Sequence, residues 1–160
     1  VLGSVVNSSV TAATLTVAHR SWLRRIEVRL PRPIGGSIDA VLHDPARRQA
    51  LADEVQSELR RFEQQLRWHD AKAEALVPLL PPGPEVYRLL VLRSTVVNRQ
   101  LVAANAEVFA AAFPARAEEA YAALTDDHTR WPGDVLLWAA VDHGRARILS
   151  GPPRGIRVGR

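Results

Sequence analysis

The run from Glu85 to Phe113, EVYRLLVLRSTVVNRQLVAANAEVFAAAF, constrains this chain more than any other stretch. Pro84 precedes it, Pro114 follows it, and neither glycine nor proline interrupts it. Val86, Leu89, Leu90, Val97, Leu101, Ala104 and Val108 recur at spacings of three and four, which predicts one side of an α-helix. Val91, Leu92, Val96, Val102 and Phe109 widen that stripe. A helix apolar round most of its circumference has to be covered on several sides. The expectation is a central helix.

A second long stripe precedes it. Asp44-Pro45 reads as a helix start, with Asp at the N-cap and Pro at the first helical position. Leu51, Val55, Leu59, Phe62, Leu66, His69, Ala73 and Leu76 then follow in a heptad-like order, a rod of about 50 Å at ~1.5 Å per residue. Pro78 and Pro81-Pro82-Gly83-Pro84 end it in a stiff, short connection, which favours an antiparallel return along the Glu85 run. A third helix is predicted over 115–124. After the loop TDDHTRWPGD, VLLWAAV and ARIL flank Asp142-His143-Gly144-Arg145, the pattern of a β-hairpin. The fold class expected is therefore mostly α (α+β): a long antiparallel helical hairpin, a third helix, a small basic N-terminal module and a C-terminal β-hairpin. The parts expected are the module over 1–43, a helical body with its hairpin over 44–149, and a flexible basic tail over 150–160.

A chain of 160 residues with 47% hydrophobic side chains can bury a real core. It has no cysteine, which excludes disulfides and thiolate metal sites. Its basic residues are arginines except for a single lysine, Lys72. The net charge of +4 is unevenly spread. Residues 1–33 hold five arginines against Glu27, and residues 145–160 hold five arginines and no acid, so the body between them is acidic. Basic ends suit a polyanion such as nucleic acid or a lipid surface.

Residues 1–18 carry no charge, but Asn7, Ser8, Ser9, Thr11, Thr14 and Thr16 interrupt the apolar run. Strand, short helix and the end of a truncated membrane span all remain open there. His19–Val28, HRSWLRRIEV, places Trp22, Leu23 and Ile26 on one side and Arg20, Arg24 and Arg25 outside, as a short basic amphipathic helix ending before Pro31 and Pro33.

SWLRRIEVRLPRP, residues 21–33, resembles the recognition-helix end of lambda-repressor-like helix-turn-helix domains, through Ser21, Trp22, Leu23, Arg25, Ile26, Glu27 and Pro33. The resemblance implies that His19, Arg20, Ser21 and Arg24 face the major groove, with Arg25 and Arg29 near phosphates. Val17 stands where that family's tight turn usually has glycine.

Catalytic signals are sparse. There is no Gly-x-Ser-x-Gly elbow and no glycine-rich phosphate loop. His43-Asp44, His69-Asp70, Asp127-His128 and Asp142-His143 are histidine–acid neighbours, yet Asp44 reads as a cap, Asp142-His143 as a turn and His69 as a packed histidine. The function expected is nucleic-acid binding by a cytoplasmic, DNA-associated regulator, whose helical body forms a homo-oligomer or responds to a ligand. No catalytic residue, metal or cofactor is expected. The alternative is a helical interaction module tethered to the inner membrane through an upstream span.

Overall fold

The computed structural model describes residues 2–159. In chain order these form α1 (Leu2–Val17), β1 (Leu23–Arg29), β2 (Ser37–Asp44), β3 (Gln49–Gln56), α2 (Phe62–Leu76), β4 (Glu85–Arg93), α3 (Val96–Ala104), α4 (Ala106–Ala112), α5 (Ala117–Thr125), β5 (Val135–Asp142) and β6 (Arg145–Ile148). The six strands make one sheet in sequential order. β1, β2 and β3 form an antiparallel meander. α2 carries the chain over to β4, which runs parallel to β3, and α3–α5 carry it to a parallel β5. β6 closes the sheet as an antiparallel partner of β5.

The helices cover both faces of the sheet. On one face, α1 and α5 pack through Val10, Ala120 and Leu124 onto Leu51, Val55, Leu89, Val91, Val135 and Leu137. On the other, α3 and α4 lay Val102 and Phe109 on Leu90, Leu92, Leu136 and Trp138. α2 spans that same face, with Leu66 in this cluster and Ala73 and Leu76 against Ala50, Ala52 and Val41. Trp22 and Trp131 meet edge to face, their ring centroids 6.0 Å apart, at the end of the α1–α5 layer.

The architecture is α+β and not the mostly α fold expected, and the long antiparallel helical hairpin is not formed. The Glu85–Phe113 run divides at Ser94-Thr95 into a central strand and two short helices. β4 lies between β3 and β5 with helices over both faces, so its successive residues Leu89, Leu90, Val91 and Leu92 are all buried. A strand buried on both faces has no alternation to betray it and mimics an all-round apolar helix. Val97 and Val108, expected on the buried stripe, are exposed. Thr95 caps α3 by accepting the Asn98 N–H.

The Asp44-started rod fails for a related reason. β3 is buried from Gln49 to Val55, and only residues 62–76 of the expected rod are α-helix. Asp44-Pro45 turns a β-hairpin, with the Asp44 carboxylate accepting the Arg47 N–H at 3.1 Å, which is a turn role open to Asp as readily as the N-cap. His19–Val28 is likewise no helix: after a turn, residues 23–29 are an edge strand. The helical bundle is therefore not formed, and residues 23–29 supply a strand where the resemblance implies a recognition helix.

Other expectations agree with the structure. The third helix stands as α5, and the β5–β6 hairpin turns through His143 and Gly144 with φ of 47° and 76°. Residues 2–17, for which strand, helix and span were all open, are helical and packed by Val10 and Thr14. Among the described residues no helix is long and apolar enough to cross a membrane. The segment after β6 has no regular structure, yet Ile156 is buried in the α3–α4 cluster.

Candidate functional site

The β1–β2 pairing is interrupted within its length, and acidic residues gather there. Glu27 and Asp39 fall opposite each other in the β1–β2 register but do not pair, and Glu27 takes a φ of 48°. A left-handed backbone at a residue other than glycine interrupts the pleat. The faces change with it: Ile38 and Val41, three residues apart, share one core cluster, whereas Leu42 joins the opposite one. β2 leaves β3 at the same point, the last paired residues being Ala40 and Asp53. The open edge of β3 is bridged by the Asp39 carboxylate, which accepts the Val55 N–H at 2.8 Å.

Three carboxylates and one ammonium meet at this divergence. Glu54 points toward α2, where Lys72 Nζ lies 2.9 Å from its Oε1. Burial pushes the Glu54 carboxyl up to about 7, with the Asp39 charge adding to the rise and Lys72 opposing it. Burial also raises Asp39, against the Val55 hydrogen bond and the Lys72 charge. Asp53 is wholly buried, neither of its oxygens has a hydrogen-bond partner, and burial with the charges of Asp39 and Glu54 pushes its carboxyl well above the ordinary range. Buried acids outnumber the one cation, and their raised carboxyls answer this by holding protons more tightly. Among the described residues no three His, Cys, Asp or Glu side chains form a ready-made metal cage. Magnesium does not need one, because it is commonly held by one or two carboxylates with waters and substrate phosphates filling its other positions. Asp39 and Glu54 are carboxylates close enough to feel each other's charge, Asp39 bordering the space under α1 and Glu54 the space beside α2.

Two cavities flank the cluster. One, bordered by Asn7, Thr11, Glu27 and Asp39, lies under α1. The other, of about 280 Å³, lies between α2 and the sheet and includes Glu54, Lys72, Gln65 and Trp68 in its lining. The site is near the carboxyl end of β3, the usual place for ligands in sheets with parallel strands. Asn98 ties that end together, donating to Ser57 O at 3.0 Å and Arg93 O at 2.8 Å.

The residues singled out by sequence lie elsewhere. His19 and Ser21 bond to each other in the turn after α1, Nδ1 to Oγ at 3.0 Å. Arg20 is exposed, and Arg24 is occupied by the carbonyls of Leu15, Ala18 and Trp22 at the end of α1. Arg25 and Arg29 are exposed on β1, two residues either side of Glu27, and so flank Asp39 across the strand pair. His69 is a packed histidine: it is 3% exposed, its Nε2–H donates to Ala52 O at 2.8 Å, and burial lowers its pKa to about 4.

Asp39, Asp53, Glu54 and Lys72 carry no motif, and the segments bearing them do not read in sequence as a hairpin and the helix beside it. One signal was available. A lone lysine in a chain that otherwise uses arginine marks a place where a compact charge with rotatable donors serves better than a planar fork. No protein-family model, curated protein or solved structure matches this chain.

Proposed function

We propose that this protein is a divalent-cation-dependent phosphodiesterase whose substrate is a nucleic-acid strand. The observation that carries the reading is the convergence of Asp39, Glu54 and Lys72 where β2 parts from β3, beside an uncompensated buried Asp53. Asp39 and Glu54 would hold the cation, which would supply Lewis-acid polarisation of a phosphate oxygen and acidify a bound water. Lys72 has three donors and no acceptor, so it steers a phosphate oxygen or the attacking water while neutralising charge that builds at phosphorus. In the hydrolysis a water oxygen bonds to phosphorus as the bond to one bridging sugar oxygen breaks. The water gives up one proton, and the leaving oxygen takes one up. The products are a phosphomonoester end and a hydroxyl end, and no further reactant is consumed.

Charge around the site supports a polyanionic substrate. Arg25 and Arg29 flank Asp39 on one side. Arg60, Arg61 and Arg67 border a depression that shares Gln64 with the cavity beside Glu54. Arginines so spread position a phosphate backbone and carry no base specificity of their own. Nucleic-acid binding thus stays in the reading, but the regulator built on a recognition helix does not.

The test is cleavage of labelled single-stranded and duplex oligonucleotides with Mg²⁺ or Mn²⁺ present, and with a chelator added. Cleavage is expected only with the cation. Asp39→Asn, Glu54→Gln and Lys72→Ala are each expected to lower the rate by about 10²–10⁴-fold, the range for loss of a catalytic group. Retained oligonucleotide binding by Asp39→Asn separates lost chemistry from lost fold. Cation-independent cleavage, or full activity in all three variants, would overturn the assignment.

A further inference from the structure

We infer that the cavity beside Glu54 and Lys72 seats one unstacked nucleobase of the substrate strand, which makes the enzyme specific for single-stranded over duplex nucleic acid. This rests on the phosphodiesterase reading and deepens it. At about 280 Å³ the cavity falls just below the range of roughly 300–1,000 Å³ that takes drug-sized ligands, so it admits a single planar ring system and no paired bases. Leu59, Leu66 and Leu90 supply apolar walls. Trp68 stands in the lining with 49% of its surface exposed, whereas Trp22, Trp131 and Trp138 are buried. An exposed indole beside a basic track is a stacking platform for bases, which all offer a flat face.

Polar capacity lines the cavity as well. Gln56, Gln64 and Gln65 bring amide groups to it, and Gln65 donates from Nε2 to Gln56 Oε1 at 3.2 Å. Amides offer both donors and acceptors to a base edge, and reading by such edges is usual for unstacked bases. Glu54 and Lys72 line the same cavity, so a base lodged here brings its phosphate into their neighbourhood.

Two measurements test this. Fluorescence titration with adenosine or guanosine monophosphate, without cation, is expected to quench Trp68, and the effect should vanish in Trp68→Ala. In the cleavage assay with Mg²⁺, Trp68→Ala is expected to raise KM for a single-stranded oligonucleotide about tenfold with kcat retained, and Trp68→Phe to restore it. An oligonucleotide with an abasic position at the cleaved step should be cut correspondingly less well. Equal cleavage of abasic and intact strands, or duplex cut as fast as single strand, would overturn the base pocket while leaving the hydrolase standing. Quenching at Trp68 by nucleotides without any cation-dependent cleavage would uphold the pocket and sink the hydrolase.

Discussion

Opposed titrations meet within the few residues around α2 and β3. His69 is buried neutral, with a pKa lowered from 6.5 to about 4. Its contribution to stability is therefore complete above pH 6.5 and is lost as the pH falls toward 4, because only the unfolded chain takes up the proton readily. Glu54 acts in the reverse sense: raised from 4.5 to about 7, it favours folding when protonated, and that contribution is lost as the pH rises through 7. The His69 part is worth about 3 kcal/mol, at ~1.4 kcal/mol for each tenfold difference in proton affinity between the folded and unfolded chain. Urea titrations of wild type and His69→Gln at pH 7 and pH 4 are expected to show wild type losing about that much more over the interval; parallel losses would refute it. Lys72 offers a sharper residue-level check. Lys72→Arg keeps the charge but replaces a point ammonium by a planar fork, so thermal unfolding should be nearly unchanged while cleavage falls by about 10²-fold or more.

At the scale of elements, β3 and β4 explain why the chain is misread. Each is covered on both faces, so helix-like and strand-like apolar spacings coexist in the same letters. β1 misleads for the opposite reason. It is an edge strand with five successive exposed residues, Leu23 to Glu27, and its charges serve as well for an edge as for a wet helix face. The joint between elements that matters most to the site is Asn98, a wholly buried residue in the first turn of α3. It holds Ser57 O and Arg93 O and accepts the Leu59 N–H, so it fixes the ends of β3 and β4 relative to α3. Asn98→Ala strands those backbone groups and is expected to cost about 3 kcal/mol by denaturant unfolding. A loss within about 0.5 kcal/mol, the usual scale of a surface change, would show that the joint is not needed.

Over the whole molecule, a three-layer scaffold brings residues 39, 54 and 72 together from two strands and a helix. The scaffold holds Asp53 and Glu54 away from water, where an isolated chain would leave them exposed. Cation binding should relieve that tension. Saturation at about 100 times Kd adds ~2.7 kcal/mol of stability. At about 2–4 °C per kcal/mol for a domain of this size, that raises Tm by roughly 5–10 °C. Scanning calorimetry with Mn²⁺ or Mg²⁺ is expected to show the rise in wild type and not in Asp39→Asn. Equal shifts in both proteins would place the cation elsewhere.

Local chemistry settled what it could reach. Asp142-His143-Gly144-Arg145 specifies a hairpin because its turn needs residues that tolerate positive φ, and Ala117–Thr125 is helical on its own periodicity. The uneven spread of arginine was equally plain. The division of residues 85–113 and the hairpin around Asp44 were settled only by tertiary structure, since burial on both faces erases the period that separates strand from helix. The acid–lysine cluster belongs to the same class. Asp39, Glu54 and Lys72 are ordinary polar residues in sequence, and they come together only because β2 parts from β3 between α1 and α2, where burial and mutual repulsion change what their charges do.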